Sequence, residues 1–350
     1  MKIVTIVGAR PQFIKAAPVS LALARAGHRE LLVHTGQHYD YGMSGVFFEE
    51  MGIPAPAVNL EVGSAGHGRQ TGEMLTKIEP VLIESKPDWV LVYGDTNSTL
   101  AGALAAVKLG IPLAHVEAGL RSFNRSMPEE HNRVLTDHCA DLLLCPTPVA
   151  IRNLAAEGIC KGVELTGDTM YDAVLQFAGI ARARSTVMKD LRLEPKGYSL
   201  ATVHRPYNTD SPEVLARLLA ALGRLEETVV FPVHPRTRQR LEGDPPPNVR
   251  TIDPVGYLDM LALEQNARLI LTDSGGVQKE AYFFGVPCLT LRPETEWVET
   301  VETGWNVVTG SDPDAIERAA RGQWPVGPPP PIFGAGDAAG RIAGALARAV

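Results

Sequence analysis

The sequence lacks most of the features that mark metal, redox and membrane proteins. Only four cysteines occur among 350 residues, at positions 139, 145, 160 and 288, and none of them form a CxxC pair. This spacing indicates neither a zinc site nor a redox pair, so we interpret the thiols as ordinary buried or partly buried side chains. No apolar run approaches the ~18 residues of a membrane span, and Lys2–Val7 is not a signal peptide. We therefore expect a cytoplasmic protein without a metal site.

Long basic runs are also absent. The 33 Lys and Arg residues stand against 40 Asp and Glu residues, which gives a net charge of −7. This balance argues against a general nucleic-acid surface, so an anionic ligand would need cations placed locally. Hydrophobic residues at 45% and charged residues at 21% are typical of folded domains with a sizeable core.

Motifs for common cofactors do not occur either. The nearest approach to a dinucleotide fingerprint is Gly334-Ala-Gly-Asp-Ala-Ala-Gly, which has the wrong spacing and follows a proline run instead of a strand. Neither a P-loop nor an HExxH pair is present. We predict no bound cofactor.

What the chain does have is an alternation of short apolar runs with Ala- and Leu-rich helical segments, which is typical of βαβ units around parallel sheets. At roughly 150 residues per domain, the length indicates two domains. We predict domains at 1–175 and 176–334, with a helix in 335–350 that packs back on the first domain. The expected strands are Lys2–Val7, Glu30–His34, Trp89–Tyr93, Leu113–Val116, Leu142–Cys145, Val163–Leu165, Tyr198–Val203, Val229–Val233, Val249–Ile252, Leu269–Leu271, Cys288–Leu291 and Asn306–Val308.

Charged side chains follow the first-half strands, at the sheet edge where parallel sheets bind ligands. Arg10 and Lys15 follow the first strand and are either solvated charges or an anion site. Asp95 is either a helix N-cap or a functional carboxylate. Glu117 ends a strand without being a good cap, and a buried carboxyl has a raised pKa that suits acid–base work.

A predicted helix in the first half adds two more candidates. Glu129 follows Pro128 in its first turn, where acids stabilise helices in any case. Arg133 lies one turn further and either pairs with Glu129 or reaches a phosphate.

The second half offers a strand–turn–helix junction at Ser274-Gly275-Gly276. Two glycines let backbone N–H groups approach a diphosphate, and the helix N-terminus adds partial positive charge. Glu280, one turn in, is placed to accept hydrogen bonds from a ribose; the alternative is an ordinary tight loop. His204 and His234 end strands and are either ligand-facing or structural histidines.

Taken together, these motifs resemble the non-hydrolysing UDP-N-acetylglucosamine 2-epimerase family over essentially the whole chain. The resemblance rests on Val7-Gly-Ala-Arg-Pro-Gln-Phe-Ile-Lys, Thr35-Gly-Gln-His, Gly94-Asp-Thr, His115-Val-Glu-Ala-Gly-Leu-Arg, Pro128-Glu-Glu-His-Asn-Arg, Thr166-Gly-Asp-Thr, His204-Arg, Thr272-Asp-Ser-Gly-Gly-Val-Gln-Lys-Glu and Thr295-Glu-Trp.

The resemblance implies an α/β homodimer of two Rossmann-like domains whose parallel sheets face a central cleft, the glycosyltransferase-B arrangement. It implies that the second domain holds most of the UDP, with the loop 253–260 at the uracil. The implied catalytic residues are Asp95, Glu117, Glu129 and His204. The implied substrate-binding residues are Arg10, Lys15, Arg133, Val255, Met260, Ser274, Gly275, Gly276, Glu280 and Arg292.

The implied reaction converts UDP-N-acetylglucosamine into UDP-N-acetylmannosamine. The hydrogen at C2 is not α to a carbonyl, so the family eliminates UDP to give 2-acetamidoglucal and then adds it back. Two protonic groups must act on opposite faces of C2. Glu117 and Asp95 are the leading pair and Glu129 the competing second group.

The chain departs from the family pattern at three places. Tyr207 replaces a glutamate, and Trp297 replaces an arginine for which Arg292 is the candidate substitute. Some bacterial relatives bind a second UDP-N-acetylglucosamine as activator through a Gln-His-Arg segment, where this chain reads Gln-His-Tyr. Activator dependence stays open, with candidate residues Gln37, His38, Arg69 and His234.

Other functions remain as alternatives. Within the resemblance, the substrate is a modified UDP-sugar such as a diacetamido uronic acid, or the enzyme hydrolyses its product to free N-acetylmannosamine. From other classes, a glycosyltransferase or a non-catalytic UDP-sugar sensor would share the architecture. The expected partners are a UDP-sugar and a second copy of the chain, with no nucleic acid and no membrane.

Overall fold

A computed structural model describes residues 1–36, 55–233, 235–241 and 243–349, excepting the side chains of residues 10, 206, 235 and 236. The chain divides into two compact units. Unit 1 comprises Met1–Leu175 and Pro331–Val350, and unit 2 comprises Gln176–Pro330. The first boundary falls inside a helix, Thr169–Arg184.

Unit 1 is built on a seven-stranded parallel sheet in the order β3-β2-β1-β4-β5-β6-β7. Its strands are β1 (Lys2–Val7), β2 (Arg29–His34), β3 (Val58–Asn59), β4 (Trp89–Tyr93), β5 (Leu113–Val116), β6 (Leu142–Cys145) and β7 (Val163–Leu165). Its helices are α1 (Arg10–Arg25), α2 (His67–Ser85), α3 (Asn97–Lys108), α4 (Pro128–Cys139), α5 (Pro148–Ala156) and α6 (Thr169–Arg184), which runs on into unit 2.

The strand order of unit 1 reverses at β1, which pairs with both β2 and β4. In doubly wound folds the ligand crevice lies outside the carboxyl ends of the strands at such a switch point. Strands β4 to β6 are buried along their whole length and therefore read as continuous apolar runs. The close packing of α3 on the sheet requires Gly102, because a Cβ there would press on Ile6 and Val92.

Unit 2 repeats this architecture with a six-stranded parallel sheet in the order β10-β9-β8-β11-β12-β13. Its strands are β8 (Tyr198–Thr202), β9 (Thr228–Pro232), β10 (Val249–Ile252), β11 (Leu269–Thr272), β12 (Cys288–Thr290) and β13 (Asn306–Val308). Its further helices are α7 (Val187–Asp190), α8 (Pro206–Thr209), α9 (Pro212–Gly223), α10 (Pro235–Arg238), α11 (Tyr257–Asn266), α12 (Gly275–Phe283), α13 (Val298–Glu302) and α14 (Pro313–Ala320).

The switch point of unit 2 lies between β8 and β11, which are paired in register from Ser199 with Leu269 to Thr202 with Thr272. Apolar clusters cover both faces of the sheet, one beneath α9 and α14 and the other beneath α11 and α12. The carboxyl ends of β8 and β11 therefore stand side by side over a packed core.

The last helix, α15 (Ala338–Arg348), belongs to unit 1 and packs against α1. Its N-terminus is held by Asp172 of α6, whose carboxylate accepts hydrogen bonds from Ala338 N at 3.2 Å and Ala339 N at 2.8 Å. Burial raises the pKa of Asp172, which the two backbone hydrogen bonds partly oppose. Among the described helices, none has the length and apolarity to cross a bilayer.

The predicted fold class, α/β with two Rossmann-like units on parallel sheets, is confirmed. All twelve predicted strands are present, each to within one residue at either end. The strand Val58–Asn59 was not predicted, because two residues at a sheet edge carry no periodicity.

Candidate functional site

The turn after β1 is fixed by the side chain of Gln12. Its Oε1 atom accepts hydrogen bonds from Gly8 N at 2.8 Å and Ala9 N at 3.0 Å. Its Nε2 atom donates to Tyr93 O at 2.8 Å and to Thr99 Oγ1 at 2.9 Å. The N–H groups of Gly8 and Ala9 are thus hydrogen-bonded within the turn, so we expect side chains to contact a ligand at this edge of the sheet.

Lys15 of α1 and Glu117 at the end of β5 form an ion pair within unit 1. Their side chains are 12% and 5% exposed. Glu117 adopts the left-handed backbone conformation, with φ 72°. Non-glycine residues in this region are uncommon and are held there by their surroundings. The cation of Lys15 is therefore paired with a carboxylate at this strand end.

Asp95 and Arg133 form a second ion pair at the neighbouring strand end. The Asp95 carboxylate is 32% exposed, whereas the arginine side chain is 3% exposed. Asn132 also donates to the Asp95 carbonyl oxygen at 3.0 Å. The alternative of Asp95 as a helix N-cap is wrong, because the cap of α3 is Thr96, whose side chain accepts from Thr99 N.

The second ion-pair partner of Arg133 is Glu130, with 2.7 Å between Nη1 and Oε2. The partner that the sequence offered was Glu129. Glu130 is buried and also accepts from Ser122 N at 3.0 Å and from Phe123 N at 2.9 Å. Position 130 faces inward on α4, while Glu129 is only half-buried. The inward-facing acid therefore holds the arginine, and Glu129 lies beside it on α4.

A set of charged residues that sequence reasoning missed lies behind these carboxylates. His115, Asp137 and Arg121 are fully or almost fully buried and linked to one another. The signal was available in the sequence, since His115 and Arg121 belong to the His-Val-Glu-Ala-Gly-Leu-Arg motif. Only the strand-end glutamate of this motif was predicted as a functional residue.

In unit 2, the helix after β11 starts at a turn shaped for close approach. Ser274 is the N-cap of α12, and its side chain accepts a hydrogen bond from Val277 N at 3.4 Å. A Cβ on Gly275 would collide with the Glu296 carboxylate and lie 3.3 Å from Trp297 Nε1. Gly276 follows in the first helical turn. Small residues at a helix N-terminus let an anionic group approach the backbone.

Asp273 organises the same junction and was also missed. It is fully buried, and its carboxylate accepts from His204 N at 3.1 Å, Arg205 N at 3.0 Å and Asn208 Nδ2 at 2.9 Å. His204 Nδ1 lies 3.2 Å from the same carboxylate, although the imidazole side chain is 52% exposed. Asp273 thus ties the end of β8 to the end of β11 and presents His204 at the sheet edge.

Three further residues surround this junction. Glu280 is buried in the second turn of α12. Arg292, only 2% exposed, lies 2.9 Å from Glu296. Tyr207 lies in α8 and is 47% exposed. The partial burial of its phenol and the nearby Asp273 raise its pKa, and Arg292 opposes this shift.

Trp297, one of the departures expected from the family resemblance, contacts a lysine. The ammonium of Lys279 lies 4.1 Å from the centroid of the Trp297 ring, and Lys279 is only 1% exposed. A cation over an aromatic face is stabilised by the ring quadrupole, most strongly when desolvated. Trp297 therefore contacts a buried lysine that lies one turn into α12.

The remaining expected binding residues occupy separate positions. Val255 and Met260 are partly buried and pack against the apolar cluster beneath α11. Arg69 of the expected activator group is exposed and pairs with Glu73 on the same helix at 3.5 Å. Gln37, His38 and His234 lie outside the described residues, as does the side chain of Arg10. Within the described ranges, no group of three or more His, Cys, Asp and Glu side chains is arranged to hold a metal ion.

Comparison with known proteins gives a consistent result over the whole chain. The sequence profile of the family described as UDP-N-acetylglucosamine 2-epimerase matches residues 22–347. A Methanococcus maripaludis protein described as a UDP-N-acetylglucosamine 2-epimerase homolog is 56% identical over 90% of this chain and 90% of its own. A UDP-2,3-diacetamido-2,3-dideoxy-D-glucuronate 2-epimerase of Pseudomonas aeruginosa is 51% identical over 99% of this chain and 100% of its own.

A solved structure shows the same relationship at the level of the fold. The Methanocaldococcus jannaschii UDP-GlcNAc 2-epimerase, crystallised with UDP-GlcNAc and UDP, matches with a TM-score of 0.92 and 43% identity. The match covers 99% of this chain and 100% of that one. The strand-end carboxylates, the Ser-Gly-Gly helix start and these similarities agree, and this chain belongs to the UDP-N-acetylglucosamine 2-epimerase family.

Proposed function

We propose that this chain inverts C2 of UDP-N-acetylglucosamine to give UDP-N-acetylmannosamine. The observation that carries the proposal is the placement of two carboxylates, Asp95 and Glu117, at adjacent strand ends beside the switch point of unit 1. Each is paired with a cation, Arg133 or Lys15, that holds it in place. Family membership supplies the substrate class.

The chemistry proposed for unit 1 is proton transfer at C2. Because the hydrogen at C2 is not acidic, the C1–O bond to UDP breaks first and an oxocarbenium-like centre forms. A carboxylate then removes the C2 proton to give 2-acetamidoglucal. In the return step UDP adds to C1 while an acid protonates C2 from the opposite face. Glu117 and Asp95 are the proposed pair, with Glu129 as the competing second group.

The chemistry proposed for unit 2 is retention of UDP. The N-terminus of α12 at Ser274, Gly275 and Gly276 would hold the diphosphate, since backbone N–H groups and the helix dipole favour an anion there. Glu280 would accept hydrogen bonds from the ribose, and Val255 and Met260 would contact the uracil. His204 and Arg292 complete the polar contacts proposed for unit 2, and Lys15 and Arg10 are the substrate-binding cations proposed for unit 1. Stabilising the leaving diphosphate lowers the barrier to elimination.

The decisive experiment is NMR of UDP-N-acetylglucosamine incubated with the enzyme in D2O. The elimination mechanism predicts UDP-N-acetylmannosamine carrying one deuterium at C2, and slower deuteration of the recovered substrate. Product without deuterium would contradict proton exchange at C2. Free N-acetylmannosamine as the first product would instead show a hydrolysing epimerase.

A second candidate substrate is a UDP-2,3-diacetamido uronic acid. The Pseudomonas aeruginosa relative named for such a substrate is 51% identical over 99% of this chain, above the 43% identity to the UDP-GlcNAc epimerase of known structure. The test is the ratio of kcat/KM for the two substrates under identical conditions. A ratio above about 100 in favour of the diacetamido uronate would make it the substrate and UDP-N-acetylglucosamine a poor analogue. The threshold lies above tenfold because a tenfold ratio corresponds to only about 1.4 kcal/mol.

The family also leads us to propose a cytoplasmic homodimer. Light scattering after size exclusion decides the oligomeric state.

Activator dependence at Gln37, His38, Arg69 and His234 is tested by the shape of the rate curve. A sigmoidal dependence of the rate on UDP-N-acetylglucosamine concentration supports a second bound molecule, and a hyperbolic dependence contradicts it.

A further inference from the structure

His115 is a buried histidine whose two ring nitrogens both face hydrogen-bond acceptors. It lies in β5, two residues before Glu117, and is fully buried. Its Nδ1 atom lies 2.7 Å from Asp137 Oδ1 of α4, and its Nε2 atom lies 2.7 Å from the carbonyl oxygen of Gly94. A carbonyl oxygen can only accept, so Nε2 carries a proton.

The partner at Nδ1 is an ionised carboxylate, so this nitrogen carries a proton too. Asp137 also accepts from Arg121 Nη1 at 2.7 Å and from Gly119 N at 3.1 Å. Burial opposes its ionisation, but the hydrogen bonds and charges of His115 and Arg121 outweigh burial and lower the pKa of Asp137. A neutral imidazole has one donor and one acceptor, whereas this site requires two donors.

The charges of this cluster balance. Arg121 also donates through Nε and Nη2 to the two oxygens of Glu157, each at 2.7 Å. Two cations, His115 and Arg121, then face two carboxylates, Asp137 and Glu157. A buried ionic group is tolerated when it is paired and its hydrogen bonds are satisfied.

The ring connects the two backbone segments that carry the strand-end carboxylates. Gly94, which precedes Asp95, has φ 63°, and Glu117 has φ 72°. His115 holds the Gly94 carbonyl, and through Asp137 it is joined to Gly119 N, just beyond Glu117. The two left-handed turns are therefore tied to one buried ring.

We propose that His115, held as an imidazolium, is a positioning residue that sets the distance between the Asp95 and Glu117 carboxylates. It donates one N–H to the Gly94 carbonyl and the other to Asp137. It does not contact the substrate and acts through the backbone of the two turns. The role in catalysis rests on the proposed epimerase function, whereas the protonation of the ring does not.

Two isosteric substitutions separate the two hydrogen bonds. The amide nitrogen of asparagine lies near the position of Nδ1, and that of glutamine lies near Nε2. His115→Asn therefore keeps a donor toward Asp137 and loses the Gly94 contact, while His115→Gln does the reverse. We expect H115N to lower kcat by about 100-fold with KM within about threefold of the wild type, and H115Q to lose less than about tenfold. The matched control is His28→Asn, at a partly exposed histidine outside the site, with unchanged kcat.

The ring protonation is measured directly in the wild-type enzyme. In the wild-type enzyme labelled with 13C and 15N, His115 is assigned by correlating its ring with its own backbone, and both ring nitrogens are expected to show the protonated type at neutral pH. A signal of the unprotonated type at either nitrogen overturns the proposal, even if both variants fail to fold.

Equal losses of kcat in folded H115N and H115Q would also overturn it, because the Gly94 contact would then have no separate effect. If the wild-type enzyme itself places no deuterium at C2, the proposed function fails, while the protonation measurement still stands or falls by itself.

Discussion

Glu117 receives its charge partner from a residue 102 positions earlier in the chain. Local sequence predicted Lys15 as part of an anion site and Glu117 as a functional carboxylate, but it did not pair the two residues with each other. The pairing depends on α1 and β5 ending at the same edge of the sheet, and no local pattern contains that information. In the proposed reaction Lys15 lies against the carboxylate that moves the proton.

Glu117→Gln is the direct test of this carboxylate. The substitution keeps the shape but removes the charge and the basic oxygen, so the rate of epimerisation should fall by about 10³-fold, within the 10²- to 10⁴-fold range of general acid–base catalysis. The measurement is deuterium incorporation at C2 by NMR. Glu164→Gln, at an exposed carboxylate paired with Arg348, is the matched control and should retain the wild-type rate. More than about a tenth of the wild-type rate in E117Q would remove Glu117 from the catalytic groups.

Arg133 shows what single-residue interpretation leaves out. The i,i+4 rule offered Glu129 as its partner, and the structure adds ion pairs with Glu130 at i−3 and with Asp95 at a strand end. Which acid is used depends on which face of α4 is buried, and that face is decided by the sheet beneath it. Similarly, Thr96 and not Asp95 caps α3, since the threonine hydroxyl is the acceptor for Thr99 N.

At the scale of elements, the sequence predicted the strands well because parallel strands buried on both faces are continuous apolar runs. It also predicted that ligand chemistry would lie in the turns after β1, β4, β5, β8 and β11. It did not predict the order of the strands, since the pairing of β1 with β4 depends on a crossover and leaves no mark in either strand. The switch points therefore had to come from the structure.

The start of α12 gives a prediction at this scale. In Gly275→Ala the new methyl group would collide with the Glu296 carboxylate, which is buried and paired with Arg292 and so has little room to move. Displacement of these groups should raise the Kd for UDP at least about tenfold, although alanine is the better helix former. Calorimetric titration with UDP measures the effect.

Gly340→Ala is the matched control, because Gly340 lies in helix α15 with nothing within 4 Å of the added Cβ. It should leave UDP binding unchanged and increase the free energy of unfolding by up to about 1 kcal/mol. If G275A binds UDP as tightly as the wild type, the Ser-Gly-Gly turn is a tight loop and not the diphosphate site.

For the molecule as a whole, the net charge of −7 suggested that cations must be concentrated where an anionic ligand binds. The structure shows these cations already paired: Lys15 with Glu117, Arg133 with Asp95 and Glu130, and Arg292 with Glu296. Composition counts charges but does not show which of them face each other. A buried carboxylate whose pKa differs between the folded and the unfolded chain also links stability to pH.

Asp137 carries this linkage in the cluster formed by His115, Asp137, Arg121 and Glu157. Its folded-state pKa is lowered from 3.8, and the pKa of Glu157 is lowered by its hydrogen bonds to Arg121. The unfolded chain therefore binds more protons than the folded chain in acid, so the stability contributed by these groups is complete above about pH 5 and is lost as the pH falls through the folded pKa values. The raised pKa values of Asp172 and Glu30 act in the opposite direction.

Urea unfolding at pH 7, 5, 4 and 3.5 should show a falling free energy of unfolding in the wild type. Asp137→Asn, which cannot titrate, should be less stable at pH 7 and lose less stability on acidification, whereas Asp244→Asn at an exposed position should follow the wild type. An unchanged pH dependence in D137N would mean that the buried cluster does not link folding to pH, and that acid sensitivity arises elsewhere in the molecule.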